Sequence, residues 1–216
     1  MQDSFWNNHY RAFSLQEPSG FARYCLNTQL RAGDAVVELG CGNGRDGLAL
    51  GQAVSRYTGL DACAVAVGNF QNVVDGLAPG VSSQMTVQQA DFTNLDFNAF
   101  GEGAKRLVIY SRFSLHSINY DEAERLLANI EKITSAPWAL MLEARTIFDT
   151  LYGAGTNVGV HEFKTDHYRR FIDPEPFLAD LASRFAVRYF EVAPGFAPFG
   201  DQDPVVMRAV IQSRSS

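Results

Sequence analysis

Between Val36 and Asp46 the chain reads Val-Val-Glu-Leu-Gly-Cys-Gly-Asn-Gly-Arg-Asp, and no other stretch restricts the fold as much. A short apolar run, an acid and three alternate glycines describe a buried strand entering a tight turn before a helix. Gly40, Gly42 and Gly44 leave bare backbone where a ligand can come close. Helix N-terminal N–H groups can face that ligand. A dinucleotide-binding fingerprint needs a glycine three residues beyond Gly42, and Arg45 stands there. Glu38, two residues ahead of Gly40, is also foreign to that fingerprint.

The rest of the chain repeats the strand-then-helix rhythm. Strands are expected over residues 35–39, 55–60, 84–89, 106–110 and 138–142. Helices are expected over 45–52, 62–77 and 121–134, the last with Leu126, Leu127, Ile130 and Ile133 on one face. Five such alternations are the pattern of an α/β, doubly wound parallel sheet. Asp173 and Pro174 open a further helix to residue 184. Strands over 185–192 and 205–212 then close the chain as a hairpin with a long connection. Residues 146–170 break the rhythm, being rich in glycine and polar groups. They read as one long loop, functional or mobile. Residues 1–32 carry Phe5, Trp6, Tyr10, Phe13 and Phe21. Ser19 is placed to cap a helix over 20–30. This segment either covers the sheet edge or closes over a ligand as a lid.

Two acids follow the glycine turn at strand ends. Asp61 lies about 20 residues beyond it, where a carboxylate can accept hydrogen bonds from ribose hydroxyls; it can also cap the next helix. Asp91 ends the third strand, followed by Phe92, and on its own would be a solvated turn. Glu38, the three glycines, Asp61 and Asp91-Phe92 together resemble the class I S-adenosylmethionine-dependent methyltransferases. The resemblance covers the chain from about residue 34 to the end. It implies a Rossmann-like, seven-stranded, mostly parallel sheet of order 3-2-1-4-5-7-6 with the last strand antiparallel. It divides the chain into a cap at 1–32 and a methyltransferase domain at 33–216. It implies that Glu38, Gly40, Cys41, Gly42 and Gly44 hold the methionine part of the cofactor. Asp61 and Ala62 would meet the ribose, Asp91 and Phe92 the adenine, and Ser111 would lie beside them. S-adenosylhomocysteine would be the product. Residues 110–116, Glu143-x-Arg145, residues 166–172 and residues 203–206 resemble a bacterial subgroup associated with surface polysaccharides or small metabolites. The asparagine-proline-proline-tyrosine motif of amino-methylating nucleic-acid enzymes is absent; Ser111-Arg112-Phe113-Ser114 stands in its place.

Ligands of open α/β sheets bind beyond the carboxyl ends of the strands. Arg112, His116, Glu143, Arg145, His161, His167, Arg169 and Arg170 fall there. Guanidinium groups grip carboxylate or phosphate, so a small anionic substrate is expected against Tyr10, Arg112, Arg145, Arg169 and Arg170. The alternative pairs Arg112 internally with Glu143 or Asp149 and leaves Arg169 and Arg170 as surface charges. His116 and His167 are the candidate bases for a hydroxyl or amine acceptor; a carboxylate acceptor needs none. O-methylation is the favoured outcome. N-methylation, a non-catalytic S-adenosylmethionine-binding protein and a nucleotide-dependent oxidoreductase are the alternatives. His116, Glu143, His161 and His167 lack local metal-ligand spacing, so no metal is expected. Cys41 reads as a small packing residue.

The chain has 216 residues, 46% of them hydrophobic and 19% charged, which suits one folded domain. A net charge of −6 argues against a non-specific nucleic-acid binder. No apolar run approaches the roughly 18 residues of a membrane helix. Cys25, Cys41 and Cys63 have no C-x-x-C spacing. A cytoplasmic monomer or homodimer is expected.

Overall fold

The computed structural model describes residues 2–12 and 17–214, with side chains from Phe5 onward. Phe13 lies outside the described residues. Two helices come first, α1 (Gln2–Ala12) and α2 (Gly20–Thr28). The alternating section is β1 (Ala35–Leu39), α3 (Gly47–Ala53), β2 (Arg56–Asp61), α4 (Ala64–Asp75), α5 (Pro79–Ser82), β3 (Met85–Gln89), α6 (Asn98–Gly101), β4 (Leu107–Arg112), α7 (Tyr120–Glu131) and β5 (Trp138–Arg145). Three short strands follow: β6 (Thr156–Gly159), β7 (Glu162–Lys164) and β8 (Tyr168–Arg170). The chain closes with α8 (Pro174–Arg184), β9 (Ala186–Ala193) and β10 (Val206–Gln212).

The main sheet has seven strands in the order β3-β2-β1-β4-β5-β10-β9. Counting only its own strands, that is the expected 3-2-1-4-5-7-6. β10 runs antiparallel to both β5 and β9, and the other pairings are parallel. The alternation of side chains along each strand sorts the core into two layers. Val37, Leu39, Ile109, Leu140, Leu142 and Ala209 face α7 and α8, where Leu126, Leu127, Ile130 and Leu181 are buried. Val36, Val108, Tyr110 and Met141 face the other way, against Phe21 and Cys25 of α2, Leu50 of α3 and Phe70 and Val74 of α4. Each of these large side chains contributes roughly 1.5–3 kcal/mol on burial. α2 is therefore part of the sheet's own packing, while α1 lies against α4.

Local capping fixes several helix starts. The Ser19 hydroxyl accepts the Ala22 N–H at 3.0 Å, as expected. Asn119 and Glu122 form a capping box that opens α7. α4 starts at Ala64 and not at residue 62, because the Asp61 carboxylate takes the Cys63 N–H at 2.8 Å and turns the chain first. The helix after the glycine turn likewise starts at Gly47, two residues later than the periodicity suggests.

Residues 146–170 depart most from expectation. This segment is not one loop: β6, β7 and β8 pair antiparallel into a separate three-stranded sheet. Its strands are three or four residues long, too short to show a period-two pattern. It is held by Phe163, Phe171 and Tyr152, whose rings meet at 5.2–6.0 Å.

Candidate active site

The carboxyl ends of β1 to β5 open into a cavity of about 990 Å³. The β3-β2-β1 side of it is acidic. The glycine turn hangs over it with Gly40, Gly42 and Gly44 all at positive φ. A Cβ on Gly42 would fall 2.7 Å from the Tyr10 hydroxyl, and one on Gly44 would fall 2.2 Å from the Phe70 ring. Both positions therefore exclude a side chain on conformation and on space. One Asp61 oxygen accepts the Gly42 N–H at 2.9 Å while the other takes Cys63. Burial pushes the Asp61 carboxyl up, against the pull of those two N–H groups. Glu38 is buried beside the turn and accepts the Tyr57 hydroxyl at 2.5 Å. Burial, then the nearby Asp46, raise it well above the ordinary carboxylate range.

Asp46 also lines this side and was not singled out from the sequence, where an acid after a glycine turn reads as a helix cap. It makes no side-chain cap bond to α3. It accepts the Ser19 N–H, the Ser19 hydroxyl and the Tyr110 hydroxyl, each at 2.7 Å. That network ties the start of α2 to the glycine turn and to β4. Cys41, Ala62, Asp91 and Phe92 complete this side. Partial burial pushes Asp91 up, but hydrogen bonds from the Thr93 side chain and N–H and from Asn94 outweigh it and hold the carboxyl below its usual range.

The β4-β5 side is cationic. Arg112, Arg145, Arg169, His116 and His167 all line it. Arg112 donates to Glu143 at 3.0 Å, and Arg208 donates to the other oxygen of the same carboxylate at 2.7 Å. One acid thus serves two guanidiniums, and positive charge is left over. Arg145 donates to Asp149 at 2.8 Å, and Arg169 lies 3.6 Å from Asp166. Phe113 sits at φ 61°, a strained conformation for a bulky residue. Its ring lies 4.3 Å under the Arg112 guanidinium and 5.5 Å from that of Arg145. It lines the cavity and carries no sequence signal beyond being aromatic. His116 is 6% exposed, and its Nδ1 is buried with no hydrogen-bond partner. Burial, then Arg145 and Arg169, hold it well below an ordinary histidine, so the imidazole is neutral. His167 is lowered to about 4 by burial and by Arg169, against the opposing Asp166. Its Nδ1 lies 2.8 Å from an Asp166 oxygen but without the angle of a hydrogen bond.

Three expected site residues lie apart from the cavity lining, the first being Gly44, whose bare Cα packs toward the Phe70 ring. Ser111 is buried at the end of β4 with its hydroxyl unpartnered. Arg170 turns inward and donates to the carbonyls of Ile118 at 3.2 Å and Leu115 at 3.3 Å. It is neither a surface charge nor a wall of the cavity, because successive residues of β8 point to opposite sides. His161 is outside the lining too, with Nδ1 2.8 Å from the Tyr152 hydroxyl.

α1 roofs the cavity. Phe5 stacks on His167 at 4.3 Å, Trp6 lies 5.2 Å from the same ring, and Tyr10 reaches the glycine turn. Asn69 of α4 donates to the Tyr10 carbonyl at 2.9 Å, and the Cys63 thiol to Asn7 at 3.3 Å. Among the described residues no group of three or more His, Cys, Asp or Glu is arranged to hold a metal, and no helix is long and apolar enough to cross a membrane.

The model of a methyltransferase-domain family matches residues 36–136. No curated protein matches the chain. Solved structures share the fold. A SAM-dependent methyltransferase from Methanosarcina mazei is 16% identical with a TM-score of 0.70, over 88% of this chain and 97% of that one. One from Anabaena variabilis is 16% identical with a TM-score of 0.70, over 98% and 93%. The glycopeptide N-methyltransferase MtfA is 18% identical with a TM-score of 0.62, over 89% and 95%.

Proposed function

We propose, from the match of residues 36–136 to a methyltransferase-domain family model, a class I enzyme that uses S-adenosylmethionine to methylate a small anionic acceptor. The observation that carries this reading is the single cavity with carboxylates on one side and guanidiniums on the other. Its acidic side fits the cofactor. Among the described residues Glu38, Asp46 and Asp61 have no ion pair, and burial raises the first and last of the three. A ligand bearing sulfonium and ammonium charge would supply the missing counter-ions. The glycine turn packs its bare backbone against Ser114, Tyr10 and Phe70, which holds Gly40 and Gly42 at the cavity wall.

Bound there, S-adenosylmethionine would supply an electrophilic methyl carbon. The chain's own part is to bind, align and keep water out. The turn from Gly40 to Gly44 takes the methionine end. Asp61, with lone pairs left on both oxygens, takes the ribose hydroxyls. Asp91 and Phe92 take the adenine. Arg145 and Arg169 hold the acceptor's anion opposite, with Arg112 beside them. For a hydroxyl acceptor, the neutral His116 imidazole on the cavity wall is the base; a carboxylate acceptor needs no base. O-methylation follows as the favoured chemistry. Phe5, Trp6 and Tyr10 of α1 close the site against solvent. A small soluble substrate, and no nucleic acid, suits a site roofed in this way.

Two measurements test the reading. Calorimetry should find binding of S-adenosylmethionine and none of NAD. Release of S-adenosylhomocysteine should then be seen with small acids bearing hydroxyl or carboxylate acceptors. Binding of NAD in place of S-adenosylmethionine would overturn it.

The pH profile follows from His116. Its imidazole stays neutral well below the ordinary value of 6.5, so the base form persists as pH falls through that value. With a hydroxyl acceptor, kcat/KM should stay flat between about pH 6 and pH 8, with any acid limb lower. An acid limb centred on 6.5 would remove His116 from the role.

The roof makes a smaller prediction. Trp6→Ala deletes ring contacts to His167 and Tyr10, worth about 1 kcal/mol. S-adenosylmethionine should bind roughly fivefold more weakly in calorimetry, with the thermal midpoint nearly unchanged. An unaltered Kd would mean that α1 does not close the site.

A further inference from the structure

Beside the main cavity lies a second, smaller hollow of about 220 Å³, between β5, the three-stranded sheet and the loop before β10. Leu151, Ala154, Phe163 and Phe171 form its walls, and Arg145 and Arg169 line both hollows. The annex is therefore a recess with four apolar walls, Thr165 and Gln202 beside them, and two guanidiniums where it meets the main cavity. Its volume is room for about seven water-sized groups. Its back wall is rigid, since Phe163 and Phe171 are 9% and 2% exposed and are braced by Tyr152.

The two cations at the mouth are unequally paired. Among the described residues Arg145 has Asp149 at 2.8 Å, while Arg169 has the Thr165 hydroxyl at 2.7 Å and Asp166 at the longer distance of 3.6 Å. Burial, then Arg145, act to lower the Arg169 guanidinium, with Asp166 opposing between them. Both guanidiniums line both hollows and repel each other, and an anion lodged at their boundary relieves both. His116 lines the main cavity and feels the same two charges.

We propose that the annex receives the apolar part of the acceptor, while the acceptor's anionic group sits between Arg145 and Arg169 and its methyl-accepting atom faces His116. The substrate class is a small amphiphilic acid: a carboxylate or phosphate with a heteroatom on one side and an alkyl or aryl group of about six carbons on the other. This deepens the methyltransferase reading and rests on it for the occupant being the acceptor.

The test is calorimetry on the full chain with acetate, butanoate, hexanoate, phenylacetate and 1-hexanol, each with and without S-adenosylhomocysteine. Affinity should climb along the acid series, with hexanoate and phenylacetate about tenfold or more tighter than acetate, the return on burying further methylenes. 1-Hexanol, lacking the charge, should bind at least about tenfold more weakly than hexanoate. Ala154→Phe and Leu151→Trp, which fill the recess from two sides, should each flatten the series while S-adenosylhomocysteine still binds. A flat series in the natural chain, or a preference that survives both filled variants, overturns the proposal. Chain-length dependence without S-adenosylhomocysteine binding would support the acid site and sink the methyl-transfer reading instead.

Discussion

Glu143→Ala should destabilise the protein by about 3–5 kcal/mol in urea or guanidinium unfolding. Glu143 is fully buried near the carboxyl end of β5. Its register partners are Arg112 on β4 and Arg208 on β10. The three side chains form a row across three adjacent strands, at the point where the sheet changes from parallel to antiparallel. Each carboxylate oxygen takes one guanidinium, at 3.0 and 2.7 Å. Arg208 adds a bond to the Phe196 carbonyl at 2.9 Å and lies 4.3 Å from the Phe196 ring. The alanine variant removes the one anion and leaves two mostly buried cations side by side, and uncompensated buried charge is the costly outcome. Glu143→Gln keeps an oxygen for one guanidinium only and should fall between the two. A loss below about 1 kcal/mol for the alanine variant would show that the row contributes little to stability.

Asp61→Ala should weaken S-adenosylmethionine binding by roughly 100-fold, or about 3 kcal/mol, with little change in unfolding midpoint. The carboxylate already holds the glycine turn through Gly42 and the start of α4 through Cys63. Each oxygen retains a lone pair toward the cavity, and hydrogen bonds to an ionised group are the stronger kind. Stability changes little because removing a carboxyl that burial already disfavours offsets the two lost N–H bonds. Asp61→Asn retains one neutral acceptor and should lose about tenfold. Calorimetry with both variants decides it, and an alanine variant that binds as tightly as the natural chain would place the ribose elsewhere.

The legible part of the site is its acidic side. Glu38 lies in the first strand; the glycine turn, Asp61 and Asp91 stand at strand ends, and strand ends can be read from short apolar runs and the breakers after them. Once the sheet order is given, those ends converge without further information. The cationic side was only half legible. Arg112, Arg145 and Arg169 reach the cavity, whereas Arg170, adjacent to Arg169, binds the Leu115 and Ile118 carbonyls. Nothing local distinguishes the two arginines, because the face each takes depends on the pairing of β8 with β7. Asp46 was passed over for a similar reason: its partners Ser19 and Tyr110 stand 27 and 64 residues away.

The amino-acid sequence alone determined the alternating strands and helices, the bare backbone at Gly42 and Gly44, and the acids at the ends of the second and third strands. These are properties of neighbours along the chain, set by side-chain period and backbone conformation. Tertiary structure decided which charges meet. It gave Glu143 to two arginines, set α1 over the cavity through Phe5 and Trp6, and folded residues 156–170 into a small sheet beside a recess. Those outcomes depend on desolvation and on contacts between distant segments, which short-range pattern does not carry.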